Sequence, residues 1–226
     1  TGTVYSHDEL AALAEVCREE GVIVMSDEIY ALNNFSGSPF QGFSAVYPEG
    51  PIVTSGLSKG HSAGGYRLGM LAAPSNMRQV IQALVAMVSE TFSAVSSPIQ
   101  YAALRAYSDL KPVLEHAAQC TRVHAVAASY LYDRFTKMGL DLPRPQGAFY
   151  LFPDFSPFSG PLRRKGLDTS PKLCQYLLDE LLIATLPSSD FYCPEDWLAC
   201  RVASVDYDGA DVLEAASRVS GDLEHC

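Results

Sequence analysis

Four side chains with complementary chemistry lie at short spacing early in this chain. Asp27 follows the segment Val22-Ile23-Val24-Met25-Ser26, and Tyr30 comes three residues later. Lys59 stands just past a second apolar segment, Pro51-Ile52-Val53-Thr54-Ser55, and Arg67 is eight residues further on, after Gly64-Gly65. Together they supply a carboxylate, a phenol, an amine and a guanidinium, a specific set of groups. Taken singly, each has a plainer role. Asp27 fits a helix cap, Tyr30 packing at a core edge, Lys59 a solvated loop and Arg67 a surface ion pair. As a set they fall at the mouth of one predicted sheet, where α/β folds bind their ligands.

The elements that must hold these groups follow from local signals. Ser6 with Glu9 three residues on is a capping box, and Leu10, Leu13 and Cys17 then share one helical face. The pattern predicts a helix over about 7–20 that stops at Gly21. The continuous apolar run Val22-Ile23-Val24-Met25 predicts a buried parallel strand, 51–55 a second strand and 68–73 a third. Ser75 opens a helical pattern through Met87, Ser97-Pro98 opens another over about 97–108, and Pro112 starts a third that reaches Met138. In the last of these, Val113, Ala117, Cys120, Val123, His124, Ala127, Leu131 and Phe135 recur near helical period. Its length exceeds the needs of one small domain, so it is predicted to bridge two. Beyond it come a strand over about 147–152, a Pro-, Gly- and Ser-rich loop, and a helix over about 171–182 capped by Ser170. Strands near 183–186 and 199–204 and a helix over about 208–224 complete a smaller α+β layer.

Composition narrows the possible partners. The chain has 226 residues with 16 Lys+Arg against 26 Asp+Glu, a formal net charge of −10. A non-specific nucleic-acid binder needs the opposite sign, and so does a protein that docks on an anionic membrane. Hydrophobic residues make up 48% of the chain, enough for a sizeable core and against wholesale disorder. No apolar stretch approaches membrane-spanning length, so no membrane span is expected. The six cysteines, at 17, 120, 174, 193, 200 and 226, show no C-x-x-C spacing and no ligand cluster with the five histidines. No metal is therefore expected. Cys17 and Cys174 read as small buried hydrophobes, and the expected compartment is reducing and cytoplasmic.

Ser26-Asp27-Glu28-Ile29-Tyr30, then Ser58-Lys59, then Gly65-Tyr66-Arg67-Leu68-Gly69 resemble the class I/II aminotransferase family, fold-type I enzymes that depend on pyridoxal 5'-phosphate. Pro145-Gln146-Gly147-Ala148-Phe149-Tyr150 and Arg201 resemble it too, in order and spacing. The resemblance implies an α/β fold with a partial large cofactor-binding domain over 1–110, built on a mainly parallel sheet. A long interdomain helix over 111–138 and a small α+β C-terminal domain over 139–226 would follow. It also implies roles. Lys59 would be the catalytic amine, forming a Schiff base with the cofactor and then carrying a proton between the substrate Cα and the cofactor C4′. Asp27 would pair with the pyridine nitrogen, Tyr30 would donate to the ring oxygen, and Ser58 and Arg67 would bind the phosphate. Arg201 would clamp the substrate α-carboxylate. The reaction implied moves an amino group from an amino acid to a 2-oxo acid, in a homodimer as the full-length protein. Related pyridoxal-phosphate lyases and synthases use the same residues. A noncatalytic remnant or interaction module that keeps the fold is the alternative from another class.

Two departures accompany the resemblance. Family members often carry Ser or Thr three residues before the lysine, where this chain has Gly56, with Ser55 one residue earlier. The family also places Asn-Pro ahead of Thr-Gly, and this chain starts at Thr1-Gly2. The resemblance is accordingly expected to involve only a C-terminal part, and the chain to be a fragment whose activity alone is doubtful. Among the remaining polar residues, His61 reads as a loop histidine, packed near the cofactor region or in solvent. His116 and His124, eight apart on the long helix, are poorly spaced for a shared metal. Arg163-Arg164-Lys165 reads as a solvated loop and Asp208 as a helix cap.

Overall fold

The computed structural model describes residues 2–219, which divide into two compact units: residues 5–118, and residues 2–4 together with 119–219. In the first unit, α1 (His7–Glu19) starts from the predicted capping box. The Ser6 hydroxyl accepts from the Glu9 N–H, and the Glu9 carboxylate accepts from the Ser6 N–H at 2.8 Å. The helix closes at its other end through Gly21, at φ +63°, and through the Val22 N–H donating to the Cys17 carbonyl at 2.8 Å. Val22 is thus spent on ending the helix, and β1 (Val24–Asp27) begins two residues later than its apolar run. Leu10 and Ala14 bury against Phe43 and Tyr47, with Cys17, Val24 and Val46 around them. Sealing Leu10 contributes about 1.5–3 kcal/mol. Cys17 is half-buried at the rim of this cluster rather than inside it.

β1, β2 (Pro51–Gly56) and β3 (Gly69–Ala72) form a three-stranded sheet in that order. β1 and β2 are parallel, with Asp27 opposite Thr54. β3 runs antiparallel to β2, with Gly56 opposite Gly69. The sheet is therefore mixed, which corrects the expectation of a mainly parallel one. A parallel return needs a crossover, usually a helix, whereas residues 57–68 hold only the three-residue turn Gly64–Tyr66, so the chain folds straight back. The turn Ser75–Met77, of 3-10 type, leads into α2 (Arg78–Thr91), and α3 (Ser97–Ser108) has the predicted bounds. α4 (Leu110–Lys137) begins ahead of Pro112. Proline is tolerated there because first-turn N–H groups have no intrahelical partner. Asp109 alone separates α3 from α4.

In the second unit β4 (Tyr150–Leu151), β5 (Leu186–Pro187) and β6 (Cys200–Ala203) make an antiparallel sheet ordered β4-β6-β5. With α5 (Ser159–Arg164), α6 (Ser170–Leu181) and α7 (Gly209–Arg218), it encloses a core in which Leu151, Leu173, Leu198, Ala199 and Cys200 are buried almost completely. Cys174 is buried as expected. Ser170 is not the cap of α6. Thr169 holds that position, and the Ser170 hydroxyl turns into the core and accepts from the Ser189 N–H at 3.3 Å. Arg163 and Arg164 form the last turn of α5 rather than a loop, which suits the negative end of the helix dipole. Asp208 caps α7, accepting from the N–H groups of Ala210 at 2.9 Å and Asp211 at 3.1 Å. Thr1, the end of the helix predicted to reach 224, His225 and Cys226 lie outside the described residues.

The start of the chain belongs to this second unit. The Gly2 carbonyl accepts from the N–H groups of Gln146 at 2.7 Å and Gly147 at 3.1 Å. Gly2 has φ +79°, and a Cβ there would come within 2.6 Å of the Tyr150 carbonyl oxygen. Only glycine fits that close approach. Among the described residues no helix is long and apolar enough to cross a membrane.

Candidate active site

β1 delivers Asp27 at its last position. The Asp27 carboxylate accepts from the Ile29 N–H at 3.3 Å, which tightens the turn leading to Tyr30. Glu28, to which the sequence reading assigned no task, pins the same turn. Its carboxylate accepts from the Phe43 N–H at 3.0 Å and the Ser26 hydroxyl at 3.1 Å, while its own N–H donates to the Thr54 carbonyl at 2.8 Å. Because β1 and β2 are parallel, Asp27 and the loop after β2 leave the sheet at one end. That loop carries Ser58 and Lys59, both half-buried. The Lys59 ammonium stands 5.6 Å from the centroid of the Tyr30 ring.

The Lys59 loop is fastened on both sides. A Cβ at Gly60 would come within 2.9 Å of the Leu32 Cβ, so the backbone beside Lys59 lies directly on Leu32. The His61 ring meets Tyr107 of α3 edge-on, 5.2 Å between centroids. Ser62 sits in the left-handed region at φ +52°, and its hydroxyl bonds His116 Nε2 of α4 at 3.0 Å. A non-glycine residue held there costs about 1–2 kcal/mol. The Ser62 N–H returns to the Lys59 carbonyl at 2.9 Å, and the Ala63 N–H to the Leu57 carbonyl at 3.0 Å.

Arg67 precedes β3. Antiparallel pairing starts β3 where β2 ends, so Arg67 shares the sheet end with Asp27, Ser58 and Lys59. It is exposed, with φ +53°, and its guanidinium donates to the Gly64 carbonyl at 2.7 Å. Arg201 belongs to the other unit, on β6 opposite Leu186. Its guanidinium carbon lies 4.3 Å from the Tyr150 ring centroid and 4.8 Å from that of Phe191. Two aromatic rings thus lie within cation–π distance of the guanidinium, a contact its planar, weakly hydrated cation favours. Tyr150 lies within a motif read from the sequence, but no local signal marks Phe191. Among the described residues, no three His, Cys, Asp or Glu side chains gather as a metal site.

The family model for aminotransferase class I and II matches residues 1–218. The chain belongs to that family. The aspartate aminotransferase of Geobacillus stearothermophilus is 32% identical over 210 residues, covering 91% of this chain and 51% of that protein. A probable aspartate/prephenate aminotransferase of Aquifex aeolicus is 33% identical over 203 residues, 86% of this chain and 48% of that protein. Among solved structures, the aromatic aminotransferase of Pyrococcus horikoshii OT3 is similar with a TM-score of 0.78 at 27% identity, over 96% of this chain and 55% of its own. The Thermus thermophilus aspartate aminotransferase with maleate is similar with a TM-score of 0.78 at 26% identity, over 96% and 52%. This chain thus spans about half the length of the curated relatives it matches.

Three expectations are corrected by this likeness to the class I and II aminotransferases. It is not confined to a C-terminal part of the chain, because the family match begins at residue 1 and ends at 218. Nor is a partial large domain set apart, since both sheets fall inside a fold match that covers 96% of the chain. The expectation of a fragment of doubtful activity is corrected with them, because the aminotransferase relatives match across 91% of this chain.

Proposed function

We propose that this chain acts as a pyridoxal-phosphate-dependent aminotransferase, moving an amino group from an amino acid to a 2-oxo acid. The observation that carries the reading is the half-buried amine of Lys59 beside the Tyr30 ring, on a fastened loop that leaves the sheet at the same end as Asp27. The donor set suits the cofactor in kind. A carboxylate matches a pyridinium nitrogen, a phenol a ring oxygen, a hydroxyl and a guanidinium a phosphate, and a primary amine an aldehyde. Asp27, Tyr30, Ser58, Arg67 and Lys59 would hold those groups, in that order. When bound, the cofactor supplies an electron sink for the negative charge that develops at the substrate Cα.

The chain's own residues do the rest. Lys59 would hold the cofactor through its amine and, once displaced by substrate, would carry the proton from the substrate Cα to the cofactor C4′. Tyr30 orients that amine through its ring face. Arg201, stacked on Tyr150 and Phe191, receives the α-carboxylate that every amino-acid substrate carries. Phosphate recognition falls to Ser58 and Arg67, because Gly56 brings no hydroxyl. The reading includes cofactor-binding residues over 1–110, a linking helix over 111–138 and a substrate-closing domain over 139–226. It also includes a homodimer in a reducing, cytoplasmic setting.

The test is reduction with borohydride after incubation with pyridoxal phosphate, followed by peptide mass mapping and a screen of amino acids for 2-oxo acid formation. Label on the Lys59 peptide and oxo-acid product that depends on an amino-group acceptor are expected. Both should be lost in Lys59→Arg, with at least roughly a hundredfold drop in rate, the usual worth of a positioned acid/base. An unlabelled Lys59 peptide overturns the reading. Oxo-acid release without an acceptor redirects it to a lyase.

A further inference from the structure

The loop that carries Lys59 rests on a cavity of about 290 Å³ whose walls include Leu57, His61, Tyr66, Ala106, Val113 and His116. The walls are largely apolar side chains from the loop, α3 and α4. His61 is unusual among them. Both of its ring nitrogens are sealed from solvent and lack a hydrogen-bond partner among the described residues. The ring is held by its edge-on contact with Tyr107 and by burial. A neutral imidazole can stay there as a flat, mostly apolar wedge. A protonated one would bring a full charge and a second unpaired N–H into the same place.

The titratable groups facing His61 are Tyr107 on α3, His116 on α4 and Tyr66 in the turn after the loop. None is a carboxylate that would welcome the proton. Burial holds His61 below the ordinary histidine value of 6.5, and repulsion by His116 pushes the same way. His116 is itself tied to the loop through the Ser62 hydroxyl. Everything packed on His61 therefore favours its uncharged form, and His61 is two residues from Lys59.

We infer that His61 is a positioning residue for Lys59: its uncharged ring, seated against Tyr107 over the cavity, holds loop 57–63 in place, and a proton on that ring unseats the loop. The inference rests on the functional reading above for what Lys59 does, and on the cavity alone for what His61 does. The sign follows from linkage. The unseated histidine takes a proton near pH 6.5 and the seated one only at lower pH, so acid below about 6.5 favours the unseated loop. One linked proton limits the effect to roughly tenfold per pH unit.

The experiment uses the whole chain without added cofactor. Amide hydrogen exchange is followed over 57–63 from pH 7.5 to 5.5, corrected for the intrinsic rate, in the wild type, His61→Phe and His116→Gln. In parallel, affinity for pyridoxal phosphate is read from absorbance over the same range. The wild type should lose protection in the loop below about pH 6.5, by up to roughly tenfold per unit. His61→Phe, which keeps the aromatic wedge, should stay flat. In His116→Gln the loss should begin at the same pH but level off sooner and be shallower, because without the repelling imidazole the seated ring takes its proton at a higher pH. The ratio of wild-type to His61→Phe cofactor affinity should fall in the same window, with any titration of the cofactor itself cancelling. An identical acid limb in wild type and His61→Phe overturns the inference. If the phenylalanine variant does not fold, an acid limb in His116→Gln as deep as the wild type's overturns it. An intact exchange limb without borohydride-fixed cofactor on Lys59 supports the seating by His61 and defeats the functional reading instead.

Discussion

Gly56 lies against the backbone of Leu68 so closely that a Cβ on it would stand 2.6 Å from the Leu68 carbonyl oxygen. The contact belongs to the β2–β3 pairing, where the Leu57 N–H donates to that same oxygen at 3.2 Å. The position where the family resemblance led to the expectation of a phosphate-binding hydroxyl is here occupied by strand-to-strand approach. Gly56→Ser should therefore not improve binding of pyridoxal phosphate. It should lower stability by about 1–3 kcal/mol, the range for overpacking a tight site. Thermal melts and cofactor titration check this together. A serine variant that binds more tightly and melts unchanged would show that the strand pair has room.

The Arg201 guanidinium lies against two aromatic rings, so its planarity matters as well as its charge. Arg201→Lys keeps the charge but loses the fork and the stacking. The Michaelis constant for the amino-acid substrate should rise roughly ten- to a hundredfold, matching the 1.5–3 kcal/mol of a charged hydrogen bond. Cofactor affinity should be unchanged. Steady-state kinetics with paired cofactor titrations measure both.

His124 accepts or donates a hydrogen bond at Nδ1 with the Tyr207 hydroxyl at 3.1 Å, and its ring packs on Phe149 at 5.3 Å. Burial holds its pKa below the ordinary 6.5. The folded state thus binds this proton less readily than the unfolded chain. Its contribution to stability is whole above about pH 6.5 and is lost as pH falls from there toward the folded value. Melting temperature should drop between pH 7 and 5.5 more steeply in the wild type than in His124→Gln. Differential scanning at matched ionic strength gives the two slopes, and equal slopes refute this role.

The capping box of α1 offers a stability test away from the site. The Ser6 and Glu9 side chains satisfy each other's backbone N–H groups, and both hydrogen bonds to Ser6 lower the Glu9 pKa. Ser6→Ala should cost about 1 kcal/mol, or roughly 2–4 °C in melting temperature for a chain of this size. Catalytic constants should not change.

The sequence by itself determined the parts whose causes lie within a turn or a strand of one another. Ser6 and Glu9 start α1, Ser97-Pro98 starts α3, Asp208 starts α7, and the apolar run before Asp27 leads into β1. It also supplied the motif residues, because amines, carboxylates and guanidinium groups carry their chemistry in their type. Tertiary structure decided what depends on neighbours far along the chain. β3 turns back antiparallel because the loop before it is too poor in helix to cross over. Ser170 turns inward because Ser189 meets it there, and Arg201 lies against the rings of Tyr150 and Phe191. Gly2 must be glycine because Tyr150 comes up against it, and His61 is sealed because α3 and α4 close over its loop. Periodicity and capping report which way a side chain faces along its own element. Which remote backbone or ring it then meets is set by the packing of whole elements, and no local pattern encodes that partner.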